Sequence, residues 1–437
     1  MDRFHYEGGR LFCEDVPVAD LAGDYGTPLY VYSAGTLRDH YRKVRDAFAP
    51  VGAMVCYSVK SLWNLHVLRL LAEEGAGFDV VSGGELYRAI QAGGDPSRCC
   101  FAGVGKTDAE IRYALQQGLG QFSVESEAEL ENLGRLAAEA GVRARAALRV
   151  NPDVDPHTHR HMTTGKKETK FGIDLERAEG VYRDFRASAA SDHVRLDAVD
   201  MHIGSQITTV QPYVDAVTKV LDMVDRLRAA GCDITRFDLG GGFGVRYEAD
   251  EALEARAFGD ALVPLLAEAG VEVVIEPGRF ISGNAGVFLT EVKYVKRGGR
   301  KTFVICDAGF TQLMRPALYD SYHHIWPVEP GAAFEPRTRT RDEAFDGLRT
   351  VDVVGPVCES TDFFAKDRPL PPVGRGELLA IFTAGAYGMV MASEYNAFPR
   401  PAEVLVEGDG ARLIRRRGTY EDLVAPEKDV PGGWAVT

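Results

Sequence analysis

No run of apolar residues in this sequence is long enough to cross a bilayer, and residues 1–10 hold no apolar core of a secretory leader; neither a membrane span nor a signal peptide is expected. Positive charge is also short. With 64 acidic residues against 50 basic ones and a net charge of -14, the chain is not expected to bind nucleic acid or anionic membrane through its general surface, although a local cationic pocket remains open to it. Cysteine is sparse: Cys13, Cys56, Cys99, Cys100, Cys232, Cys306 and Cys358 make an odd total of 7 with no C-x-x-C pair. That excludes a disulfide framework and a cysteine zinc site, and it suits a reducing cytoplasm.

The rest is ordinary globular composition, 45% hydrophobic and 26% charged. A chain of 437 residues suggests two domains with cores large enough to stand without staples. From about residue 50 to 280, short β-rich runs alternate with longer stretches of helical period. Strands are expected at 53–59, 78–81, 99–102, 121–124, 144–150, 196–203, 235–239 and 272–275, with helices at 65–74, 84–92, 108–117, 127–140, 213–230 and 253–269. Leu133, Leu136, Ala137 and Ala140 have the spacing of one buried helix face. Eight β–α units predict an α/β fold, a (β/α)8 barrel of the TIM type; an open doubly wound sheet is the alternative. Beyond 286, runs at 287–295, 302–305, 350–357, 377–382, 402–406 and 412–415 predict an all-β domain, with 331–349 as a charged, exposed insertion and 28–32 as a further strand of that domain. The expected division is a barrel over 35–285 and a β domain from 1–34 and 286–437.

In a barrel, function gathers at the carboxyl ends of the strands. The first expected strand runs into Lys60, the sixth into His202 and Ser205, the seventh into Gly240, Gly241 and Gly242, and the eighth into Glu276, Gly278 and Arg279. Singly each has a plain explanation: a surface lysine, a core histidine, a tight turn, an ion pair of Glu276 with Arg279. Together they supply an amine, a flat imidazole, a glycine loop fit for a phosphate and a carboxylate, which are the parts a pyridoxal-phosphate site requires. Three other patterns are set aside. The run from Gly103 to Thr107 lacks the earlier glycine of a P-loop, and the run from Gly240 to Gly244 lacks the last glycine of a dinucleotide loop. His157, His159 and His161 could face a metal together but lie between Pro156 and Gly165, in an expected loop, so no metal site is assigned. In the β domain, Arg315 and Tyr319 at i, i+4, the polar stretch from Cys358 to Asp362, and Tyr387 in a turn of small residues have ordinary explanations when taken alone.

In this order, from Gly26 to Asn396, the motifs resemble the fold-type III pyridoxal-phosphate decarboxylases, which share the two-domain architecture of alanine racemase. The resemblance implies that Lys60 binds pyridoxal 5'-phosphate, that His202 stacks on its ring, and that Glu276 partners the ring nitrogen. It implies that Ser205, Gly240, Gly241, Gly242, Gly278 and Arg279 hold the phosphate. Arg279, Arg315 and Tyr319 would grip the distal carboxylate of an amino-acid substrate, Glu359 its distal ammonium, and Tyr387 would touch both cofactor and substrate. Cys358 would act as proton donor, and with Glu359 it would enter the site of a second subunit, which implies a homodimer with shared active sites. Two arginines beside one glutamate suit a tail carrying both charges, as in meso-2,6-diaminopimelate, better than a purely cationic one. A carboxynorspermidine decarboxylase, a racemase of the same barrel family and a non-catalytic regulator are the alternatives.

Overall fold

The computed structural model describes residues 2–155, 170–248, 253–340, 344–428 and 430. His157, His159 and His161 lie outside them. The chain forms two compact units, one of residues 38–245 and 251–281, the other of 1–37, 246–250 and 282–437.

The first unit is a closed barrel of eight parallel strands. They are β1 (Met54–Ser58), β2 (Gly77–Val80), β3 (Cys99–Phe101), β4 (Gln121–Val124), β5 (Ala144–Asn151), β6 (Val194–Met201), β7 (Arg236–Asp238) and β8 (Glu272–Ile275). Closure comes from β8 pairing with β1, Val274 opposite Met54 and Ile275 opposite Val55. The expected strands are all present within a few residues. They are legible because a strand buried on both faces reads as a short unbroken apolar run. Helix starts are equally local. The helix Glu127–Ala140 begins at Ser126, whose side chain accepts from the Glu129 amide, and stops at Gly141 in the left-handed conformation. It buries Leu130, Leu133, Gly134, Leu136 and Ala137. Ala140, expected on that face, is exposed. The helices Ala34–Ala47 and Leu175–Arg186 were not expected; in the second, charged residues crowd an apolar stripe of Ala178, Val181, Tyr182 and Phe185.

In the second unit, strand Leu29–Ser33 lies between Gly286–Gly298, antiparallel, and Ala402–Glu407, parallel. Gly286–Gly298 also pairs with Lys301–Cys306 and Leu378–Ile381. Strand Phe363–Leu370, absent from the expectation because Lys366, Asp367 and Arg368 break its apolar pattern, pairs with Arg349–Val354. The short strand Ile325–Pro327 and the N-terminal meander Phe4–Glu7, Arg10–Cys13 and Val16–Pro17 were also not expected. Leu29, Val31, Val287, Leu289, Trp326, Phe382, Val404 and Val406 share one core. The described residues of 331–349 are exposed or half-buried, as expected, and are anchored as well. Phe334, Phe345 and Leu348 pack onto that core, Glu335 accepts from the Gly9 amide at 2.6 Å, and Arg339 pairs with Asp2 at 2.8 Å. Its three anchors stand singly among charged and small residues, so no apolar run marks them.

Candidate active site

Lys60 sits in the tight turn Val59–Ser61 that ends β1. Its Nζ donates to Asp79 Oδ2 at 2.9 Å, and the same oxygen accepts from Ser58 Oγ at 2.6 Å. Ser58 Oγ also lies 3.0 Å from the Glu276 carbonyl. The hydroxyl therefore ties the ends of β1, β2 and β8 together. Glu276 follows β8 and is 5% exposed, and its Oε1 is buried with no hydrogen-bond partner. Burial, then the charges of Asp238, Asp79 and Asp200, push its pKa well above the carboxylate range. A buried carboxyl in that state is matched by a ligand that brings an N–H or a cation to it.

After β7 the chain turns through Gly240 and Gly242, both with positive φ. Added Cβ atoms would fall 2.4 Å from the Met201 carbonyl at Gly240, 2.0 Å from the Glu276 carbonyl at Gly241 and 2.2 Å from the Gly204 carbonyl at Gly242. The three glycines are thus required by the approach of neighbouring strand ends, besides whatever ligand they face. Gly241 N–H donates to His202 Nδ1 at 3.2 Å, so Nδ1 accepts and the ring proton sits on Nε2. Burial, then the charges of Arg149 and Lys60, hold the imidazole pKa well below its usual value, and the ring is neutral. Arg279 donates to Ser205 Oγ from Nη2 at 3.1 Å. Gly278 packs where a Cβ would meet Ser58 at 2.9 Å. Lys60, His202, Ser205, Gly240, Gly241, Gly242, Glu276, Gly278 and Arg279 therefore gather at one end of the barrel, joined by direct contacts.

Several charged groups in this cluster went unrecognised in the sequence. Asp79 is fully buried on β2, and Arg149 on β5 pairs with Glu125 at 2.8 Å. Burial drives the pKa of Asp200 far up and that of Asp238 up to about 6. A charged residue inside an apolar strand, such as Asp79 between Phe78 and Val80, was the available signal. Cys100, Asp238 and Glu276 bring potential ligand atoms within 4.8 Å of one another. A hydrogen bond with Cys56, then burial, raise the Cys100 thiol pKa, and Asp238 is held by Gln121 and the Gly240 amide. A protonated thiol and an engaged carboxylate make a poor metal site. Lys106, in the P-loop look-alike, is spent inside the fold on the Gly103 and Ser123 carbonyls and Glu129.

The remaining expected residues belong to the second unit. Arg315 and Tyr319 open and close the helix Arg315–Tyr319. Cys358 is exposed, whereas the other cysteines are buried. Its amide donates to Asn396 Oδ1 at 2.8 Å. Glu359 is exposed beside it. Asp362 fixes this loop, accepting from Phe310 N and Val357 N at 2.7 Å each. Tyr387 is held at φ +56°, a backbone region that costs a tyrosine about 1 kcal/mol or more, so the turn around it imposes the conformation.

Residues 34–283 match the family described as pyridoxal-dependent decarboxylase, pyridoxal binding domain. The chain is 47% identical to a diaminopimelate decarboxylase of Pseudomonas aeruginosa, covering 99% of this chain and 100% of that one. It is 43% identical to one from Aquifex aeolicus, over 97% of each. Among solved structures, a diaminopimelate decarboxylase from Helicobacter pylori complexed with L-lysine superposes with a TM-score of 0.87 at 36% identity, covering 94% of this chain and 99% of that one. One from M. jannaschii, also with L-lysine, gives 0.89 at 35% identity over 99% of each chain.

Proposed function

This chain belongs to the pyridoxal-dependent decarboxylase family, and from that premise we propose that it is a carboxy-lyase that converts meso-2,6-diaminopimelate to L-lysine and carbon dioxide, the last step of lysine biosynthesis, with pyridoxal 5'-phosphate as cofactor. The observation that carries the site assignment is the buried Oε1 of Glu276, which has no hydrogen-bond partner among the described residues although it stands in the same hydrogen-bonded cluster as Lys60. A protonated pyridine nitrogen is the group that fits it.

Lys60 would hold the cofactor through its ε-amine, and Asp79 orients that amine. Bound there, the cofactor supplies an electron sink for the pair left when the carboxylate departs as carbon dioxide. Glu276 keeps a proton on the ring nitrogen. His202, being neutral, offers a flat apolar face without repelling that cation. Ser205, Gly240, Gly241, Gly242, Gly278 and Arg279 take the phosphate. Arg279, Arg315 and Tyr319 take the distal carboxylate, Glu359 the distal ammonium, and Tyr387 touches cofactor and substrate. Cys358 delivers a proton from its thiol to the carbon that has lost its carboxyl, acting as general acid. Cys358 and Glu359 come from the partner in a homodimer with two shared sites; their exposure in the single chain supports this. The buried free cysteines support a cytoplasmic location, and no described helix is long and apolar enough to cross a membrane.

Carbon dioxide release should be measured with meso-diaminopimelate, ornithine, arginine and carboxynorspermidine. Release from the first is expected to dominate, and release from ornithine alone would overturn the substrate. The purified enzyme is expected to be yellow and to lose that colour on borohydride reduction through Lys60; a colourless protein would point to a non-catalytic relative.

A further inference from the structure

Arg315 is 3% exposed and His323 fully buried, and the two are joined at 2.9 Å between Nη1 and Nε2. An arginine offers only N–H donors, so Nε2 accepts. The proton of the ring therefore sits on Nδ1, which donates to the Phe382 carbonyl at 2.8 Å. That carbonyl belongs to the backbone just beyond strand Leu378–Ile381, a rigid reference point. The guanidinium also lies over the ring of Tyr247 at 4.7 Å, and Tyr247 meets His323 edge to face at 5.5 Å. Arg315, Tyr247 and His323 thus fix one another, and the histidine is anchored to the sheet.

We propose that His323 is a positioning residue for substrate specificity: it aims the Arg315 guanidinium at the distal carboxylate of the substrate without neutralising it. This rests on the role given to Arg315 above. The chemistry of the acceptor is the point. A carboxylate in place of the imidazole would orient Arg315 equally well but would consume its charge, leaving little attraction for an incoming carboxylate. A neutral ring nitrogen takes one N–H and adds no negative charge beside the guanidinium. An apolar side chain would remove the acceptor that fixes the direction of Nη1, and binding would then bear the cost of setting it.

The test uses the holoenzyme and binding as well as turnover. L-lysine keeps the distal carboxylate and cadaverine lacks it, so the pair isolates that group. His323→Phe, which keeps a flat ring without an acceptor, is expected to raise the KM for meso-diaminopimelate about ten-fold, the worth of one hydrogen bond to a charged group, with kcat and cofactor absorbance nearly retained. L-lysine affinity by calorimetry should fall about as much, and cadaverine affinity should not change. His323→Gln, whose Oε1 can accept from Arg315, should restore KM to within about two-fold of wild type. Equal losses for lysine and cadaverine, or an unaltered lysine affinity in His323→Phe, would overturn the positioning role alone. A wild type that releases no carbon dioxide from meso-diaminopimelate would instead overturn the functional reading on which it rests.

Discussion

Two buried carboxyls of the barrel carry opposite assignments although both are pushed up in pKa. Glu276 lacks an internal partner for Oε1, whereas Glu85 uses Oε2 to accept from the Val81 amide at 2.9 Å. Glu276→Gln should retain bound cofactor and lose about 10²-fold in kcat, because the neutral amide no longer stabilises charge on the ring; single-turnover kinetics with matched cofactor content checks it. Glu85 is held by burial at a pKa of about 7. Its folded form binds its proton more tightly than an unfolded glutamate does. The stability it supports is therefore full at pH 4 and is lost as pH rises toward 7. Glu85→Gln should accordingly gain on the wild type between pH 5 and pH 8, by up to about 3 kcal/mol, in denaturant unfolding at both pH values. Lys60, His202 and Glu276 were legible in the sequence because each ends an apolar run. Asp79 and Arg149 were not, since inward-facing side chains of a closed barrel give no amphipathic alternation.

At the scale of elements, the loop that carries Cys358 and Glu359 owes its shape to one buried aspartate rather than to regular structure. Asp362 receives two backbone amides from opposite sides, so Asp362→Ala leaves both unsatisfied. Loss of kcat of about ten-fold or more is expected, with cofactor content intact, measured by turnover against absorbance. The sequence marked this loop by its motif but could not show what holds it, because Phe310 lies far from Asp362 along the chain. Helices were legible where caps and an apolar stripe coincide, as at Ser126 and Gly141. The helix Leu175–Arg186 shows the opposite case, a short stripe among many charges.

For the whole molecule, the proposed sharing of sites between two chains makes a quantitative prediction. Lys60→Ala and Cys358→Ala homodimers should each be nearly inactive. After subunits exchange freely, half of the dimers are mixed and each holds one intact site, so activity should recover to about a quarter of wild type. No recovery, with exchange confirmed by labelled subunits, would place Cys358 in its own chain's site. The barrel was legible from the count of its strands. The second unit was harder to read in Phe363–Leu370, whose charges break its apolar pattern, while its expected strands Leu29–Ser33 and Ala402–Glu407 join one end of the chain to the other. That arrangement has a consequence for biosynthesis. A ribosome makes Leu29–Ser33 early, and its two neighbours emerge only after the whole barrel has been made, a delay of roughly tens of seconds at ordinary translation rates. Through that interval a strand of Leu29, Tyr30, Val31 and Tyr32 stands with both edges open, the kind of segment that nascent chains use to stick to one another. Folding in a cell therefore requires that this one early strand be shielded until the last strand of the sheet arrives.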